Sequence, residues 1–250
     1  MDVLGELVPQ LAQLPGVITV ALGGSRAKGT HRPDSDWDLG VYYRGKFDAT
    51  VLTRLGYPGS AAQPGEWGRI VNGGAWLSVH GQPVDVLLRD LDVIESWWAD
   101  ARDGRFEIDN VEGHLAGLPT YVPLGEMAIG RALHGSLPSV EYPPRLREVG
   151  SARWRWNGAF SLMFAEQYAS RGDRTLAAGM LARATAQTAH GVLAERGEWA
   201  LGEKGLVAAA GLDDAAAIIG QVHADPVAAA GALRELLRPP RLDELAAHTG

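Results

Sequence analysis

Cysteine is absent from all 250 residues, which excludes disulfides and thiolate metal sites and suits a cytoplasmic protein. Long apolar runs are missing too. No uninterrupted hydrophobic stretch approaches the roughly 20 residues needed to cross a bilayer, so no membrane partner is expected. Residues 1–16 carry Asp2 and Glu6 and no basic residue, which is not the charge pattern of a secretory leader. A basic excess is the third absence. The net charge is −7, with 10 Lys+Arg against 13 Asp+Glu in residues 1–105 and 13 against 17 in residues 106–250. Proteins that grip nucleic acid neutralise phosphates with a basic face, so neither half reads as a nucleic-acid module. A small or even cationic ligand fits that balance better. With 46% hydrophobic and 21% charged residues, the composition is that of a soluble globular chain of one or two domains.

What is present concentrates at residues 17–39. An apolar run, Val17 to Leu22, feeds the corner Gly23-Gly24-Ser25, then the basic turn Arg26-Ala27-Lys28-Gly29-Thr30, then Asp34-Ser35-Asp36-Trp37-Asp38-Leu39. Side chains two apart on a strand share a face, so the spacing predicts Asp36 and Asp38 side by side, with Trp37 and Leu39 turned into a core. Two like charges so placed are costly unless a cation sits between them. Carboxylate oxygens are what Mg2+ takes, usually together with substrate phosphates. Glycine lets the backbone turn sharply and approach a ligand, and a helix opening at Ser25 offers free N–H groups to an anion. A phosphate cradle beside paired carboxylates outlines a phosphoryl or nucleotidyl transfer site.

Gly24-Ser25 followed by Ser35-Asp36-Trp37-Asp38 in strand context resembles the signature of the nucleotidyltransferase superfamily with the DNA polymerase beta-like fold. Its small bacterial members include antibiotic nucleotidyltransferases of the aminoglycoside and lincosamide type, and minimal antitoxins. The resemblance implies an α+β fold: an N-terminal polymerase beta-like domain with a mixed sheet flanked by helices, over residues 1–105. A connecting segment, 106–121, and an all-α helical bundle, 122–250, would follow and close over the acceptor.

Along the chain, apolar spacing predicts a helix over 2–13, strands at 17–22 and 37–43, a helix from Phe47 to Leu55 and a loop at 56–65. Three strands are expected at Trp67–Val71, Ala75–His80 and Pro83–Leu88, with hairpin turns at 72–74 and 81–82. In the last of these Val84, Val86 and Leu88 share one face and Asp85 takes the other. The resemblance makes Asp85 the third acidic position, as metal ligand or general base. Asp90 caps a helix over 91–101, whose Trp97 and Trp98 read as core or domain-interface residues.

From residue 122 onward only helices are expected: 124–133 ending at Gly135, 145–171, 175–196 capped by Asp173, then about 203–210, 213–223, 226–237 and 241–248. Antibiotic adenylyltransferases resemble this half, with a lysine that meets the triphosphate; that implies a nucleotide contact for Lys204. Glu166, Glu107, Asp109 and His114 read as surface residues, and His31 as a turn residue without a role.

The implied activity is Mg2+-dependent transfer of an NMP from an NTP, taken as ATP, to a hydroxyl of a small molecule, an antibiotic among the candidates. Asp36, Asp38 and Asp85 would bind two metal ions and carry the catalysis. Gly24, Ser25, Arg26, Lys28 and Lys204 would bind the nucleotide. The rival readings are an antitoxin-like enzyme that AMPylates a protein tyrosine, and an inactive nucleotide-binding module.

Overall fold

The computed structural model describes residues 2–240, so the helix expected at 241–248 lies outside the described residues. Two compact units emerge. One takes the chain up to Ala99 together with Pro119–Glu141, the other Asp100–Leu118 and the chain from Tyr142 on.

The first unit opens with α1 (Val3–Ala12), whose cap Asp2 accepts from the Gly5 N–H at 3.0 Å. Then come β1 (Val17–Leu22), α2 (Gly24–Lys28), β2 (Trp37–Tyr43), α3 (Thr50–Thr53), β3 (Gly59–Ala62) and α4 (Gly68–Val71). β4 (Gly74–Val79) and β5 (Gln82–Asp90) follow, and α5 (Leu91–Arg102) leads out of the unit. β4 and β5 form a hairpin on His80-Gly81, where both residues adopt positive φ (53° and 78°), as the tightest two-residue turn requires. The chain then passes β6 (Ile108–Asp109) and β7 (Leu118–Pro119), which form a two-stranded sheet, and returns through α6 (Val122–Ile129) and β8 (Arg131–His134).

Six strands make one mixed sheet in the order β3-β4-β5-β2-β1-β8. Only β2 and β5 run parallel; every other neighbouring pair is antiparallel. One face is a core in which Leu7 and Leu11 of α1 join Leu39, Val41, Val84, Val86 and Leu88. Arg89 is buried (3% exposed) at the end of β5. Its guanidinium donates to both Glu126 carboxylate oxygens at 2.5 and 2.8 Å, and to the Val71 carbonyl at 2.6 Å. That fork fixes α6 against the sheet, because a buried arginine is tolerable only when paired and hydrogen-bonded.

Three expectations fail here: residues 56–65, expected as a loop, hold β3, which pairs antiparallel with β4. Residues 67–71 form no strand: Gly68–Val71 is one helical turn, and Asn72, at φ 71°, ends it. The helix expected over 124–133 stops at Gly130, and Arg131–His134 instead pairs antiparallel with β1. Four residues with polar side chains at both ends carry no strand alternation. It is the open edge of β1 that makes them a strand.

The second unit is helical: α7 (Pro144–Ser170), α8 (Arg174–Arg196), α9 (Leu206–Ala209), α10 (Ala215–Gly220), a 3-10 turn at Gln221–His223, and α11 (Pro226–Leu237). Asp173 caps α8, accepting from the Leu176 N–H at 3.0 Å. Small residues let α7 and α8 approach closely. A Cβ placed on Gly158 would lie 2.5 Å from the Thr188 hydroxyl. Between them Trp154 stacks on His190 with ring centroids 4.3 Å apart.

His190 is 1% exposed and neither ring nitrogen has a hydrogen-bond partner. Burial, with a smaller push from His114, lowers its pKa to about 4. The unfolded chain binds this proton near pH 6.5 and the folded chain only near 4. Stability from this group is therefore full above pH 6.5 and is lost as pH falls toward 4, by about 3 kcal/mol. Urea denaturation at pH 7 and 4.5 checks this: His190→Phe should lose about 2 kcal/mol less than the parent between the two.

Candidate active site

β1 runs out of the sheet at Leu22, and the Gly23 N–H donates to the Asp38 carbonyl at 2.8 Å, so the corner stays stitched to β2. Gly24 then takes φ 59°, and a Cβ there would lie 1.7 Å from an Asp38 carboxylate oxygen. Glycine is required twice over: for the left-handed backbone, and because the Asp38 carboxylate occupies the space of a side chain. α2 starts at Gly24 and closes after one turn at Gly29, also left-handed. The Ser25 hydroxyl makes no hydrogen bond among the described residues, and Lys28 is exposed at the end of the turn.

Asp38 lies on β2 directly opposite Asp85 on the parallel strand β5. Residues in register share a face, so the two carboxylates project on the side away from the core formed by Val84 and Val86. Asp85 is half-buried, and its pKa is raised by burial and then by the negative charge of Asp36. Asp36 thus reaches the same neighbourhood, but not as a strand neighbour of Asp38. β2 begins at Trp37, and Asp36 sits in the exposed turn before it. The reason is Arg26. Its guanidinium takes the carbonyls of Ser35 at 2.6 Å and Asp36 at 3.0 Å, and lies 3.9 Å over the Trp37 ring. Those interactions hold the turn and shape the approach of Asp36.

Asp38 faces Asp85 in register and the charge of Asp36 is felt at Asp85, a concentration of negative charge that favours a cation. Among the described residues no three acidic or imidazole groups close into a metal cage by themselves. Mg2+ asks for less: one or two carboxylates completed by substrate phosphates. The facing pair Asp38 and Asp85 presents only oxygen donors, the kind a hard divalent ion takes.

Lys204 belongs to the second unit, exposed in the turn before α9. Its neighbour Glu203 accepts from the N–H groups of Leu115 and Ala116 at 2.8 and 2.5 Å. Glu166 is held by Arg234 at 2.5 and 2.7 Å. A cavity of about 270 Å³, lined by Tyr43, Asn72, Leu88, Arg89 and Trp97, opens at the far end of β5 and includes none of the three carboxylates. Sequence reasoning missed Trp76. It sits opposite Asp85 on β4 and is 55% exposed, between buried Ala75 and Leu77. Alternation through 75–80 was the signal that could have found it.

Residues 4–103 match the family model described as nucleotidyltransferase domain. No curated protein matches the chain. Among solved structures, the chain is similar to a nucleotidyltransferase-like protein from Exiguobacterium sibiricum 255-15 at 13% identity. That similarity covers 94% of this chain and 72% of the other, with a TM-score of 0.45. No described helix is long and apolar enough to cross a membrane. Residues 4–103, which hold the glycine corner and the facing aspartates, are thus similar in sequence to the nucleotidyltransferase domain family.

Proposed function

We propose that the protein transfers an NMP from an NTP, with ATP the first candidate, to a hydroxyl group of a small acceptor. The observation that carries this reading is the register of Asp38 with Asp85 beside a corner that only glycine can form. The net charge of −7, with no basic excess in either half, favours a small acceptor over RNA.

Each residue then has a task. Gly24 brings the backbone close to the phosphates, and Ser25 offers its hydroxyl and N–H to the departing pyrophosphate. Lys28, exposed beside that corner, can neutralise charge on the same group. Arg26 works indirectly, by pinning the turn that delivers Asp36. Asp36, Asp38 and Asp85 would hold a divalent ion, which supplies charge neutralisation and polarises the phosphoryl group. The acceptor oxygen forms a bond to the α-phosphorus while the bond to the bridging oxygen breaks. The electron pair leaves with pyrophosphate, and the acceptor's proton passes to Asp85, on the side of the site away from the corner.

A pyrophosphate-release screen with Mg2+, each NTP and a panel of hydroxylated acceptors tests the reading. Asp38→Ala should lower the rate by about 10³-fold or more, since it removes a group that stabilises transition-state charge. Normal turnover by that variant would sink the proposal. Gly24→Ala keeps every carboxylate, yet should cut the rate comparably and cost about 1–2 kcal/mol of stability from the left-handed backbone alone. Thermal denaturation and the same assay read both effects.

A further inference from the structure

Across the sheet, four neighbouring strands place one feature each in a single row. The corner at Gly23 bonds to Asp38, Asp38 faces Asp85, and Asp85 faces Trp76. Directly opposed residues on antiparallel strands lie about 4.5–5.5 Å apart at Cβ and share a face, so Trp76 and Asp85 project from the same side of the sheet.

That indole is preset. Trp76 stacks on Trp67 with ring centroids 4.5 Å apart and planes 27° from parallel. Trp67 in turn lies against Gly74, where a Cβ would meet its ring at 3.0 Å. On the next strand the residue opposite Trp76 is Ser60, exposed and too small to cover it. A lone exposed tryptophan is ordinary surface. One held flat by a second ring, and in register with Asp85, is a platform.

We propose that Trp76, buttressed by Trp67, is the acceptor subsite, and that it selects acceptors carrying their hydroxyl on a ring with a flat apolar face. The inference rests on the nucleotidyl-transfer reading and deepens it. In-line displacement puts the attacking oxygen opposite the leaving group. Pyrophosphate leaves at the glycine corner, so the acceptor enters from the other end of the row, where the indole lies. A ring face stacked on an indole gains contact without needing a charge, and leaves the hydroxyl at the ring's edge free to point toward Asp85.

Two readouts test this separately. The first is steady-state kinetics of pyrophosphate release with ATP, Mg2+ and ring-bearing acceptors (N-acetyltyrosinamide, uridine, kanamycin) against the open-chain acceptors glycerol and N-acetylserinamide. Ring-bearing acceptors should be used in preference. Trp76→Ala should raise the acceptor KM about tenfold or more while the ATP KM stays within about twofold, and Trp76→Phe should restore most of the loss. A rise in the ATP KM alone would assign the platform to the nucleobase and overturn the proposal. So would unchanged constants for both substrates, or equal use of glycerol.

The second readout needs no turnover. The Trp76 indole N–H resonance, identified by its loss in Trp76→Phe, should shift with the ring-bearing probes and not with glycerol. A shift without pyrophosphate release from any acceptor would leave the platform standing and remove the transfer reading. No shift with any ring-bearing probe would overturn the platform.

Discussion

The parallel pairing of β2 with β5 is the constraint on which this site depends. It is the only parallel pair in the sheet, and it sets Asp38 against Asp85. Opposed like charges weaken a ladder. The other face of the same two strands offsets this with a buried apolar layer, in which Leu39, Val41, Val86 and Leu88 are each fully buried. One residue of slip would exchange the two faces, burying the carboxylates and exposing the core, so the apolar layer also locks the register. The core and the chemistry are two sides of one ladder.

Further local features follow from that ladder. Because Asp38 fills the space next to Gly24, the corner must be glycine with left-handed backbone. Because the ladder with β5 begins at Trp37↔Val84, Asp36 needs another support, which Arg26 supplies through two carbonyls and a ring contact. The remote end of β5 is secured by the buried Arg89–Glu126 fork, whose failure would leave an uncompensated charge in the interior. β8 closes the opposite edge of the sheet against β1, with Arg131 and His134 exposed where an open edge would invite pairing.

What could be read from the sequence tracks how local the cause is. β1 and β2 lie where apolar periodicity places them, at Val17–Leu22 and Trp37–Tyr43, and α11 at Pro226–Leu237 follows from its Asp225 cap and apolar face. The facing of Asp85 away from Val84 and Val86 was legible for the same reason. β8 was not, since Arg131–His134 becomes a strand only through β1, more than 100 residues earlier. The turn at Gly68–Val71 was misread because four apolar-rich residues fit a strand or a helix equally. The carbonyl partners of Arg26 were hidden too, since the sequence shows only a basic residue in a turn. Trp76 was visible in the alternation but gained meaning only from the register with Asp85.

The distribution of tasks over the row has a consequence for how such a site can change. The corner, Asp38 and Asp85 are bound together by backbone stitching and by the shared apolar layer, so a substitution at one disturbs the others. Trp76 is different. Its neighbours Ala75 and Leu77 carry the packing of β4, while the indole itself projects outward and is held mainly by another side chain, Trp67. Outward residues of a sheet can be exchanged without moving the backbone that positions their neighbours, because the inward set bears the register. On the proposed reading, a domain built this way would keep its transfer chemistry on β1, β2 and β5 and could alter its choice of acceptor on β4.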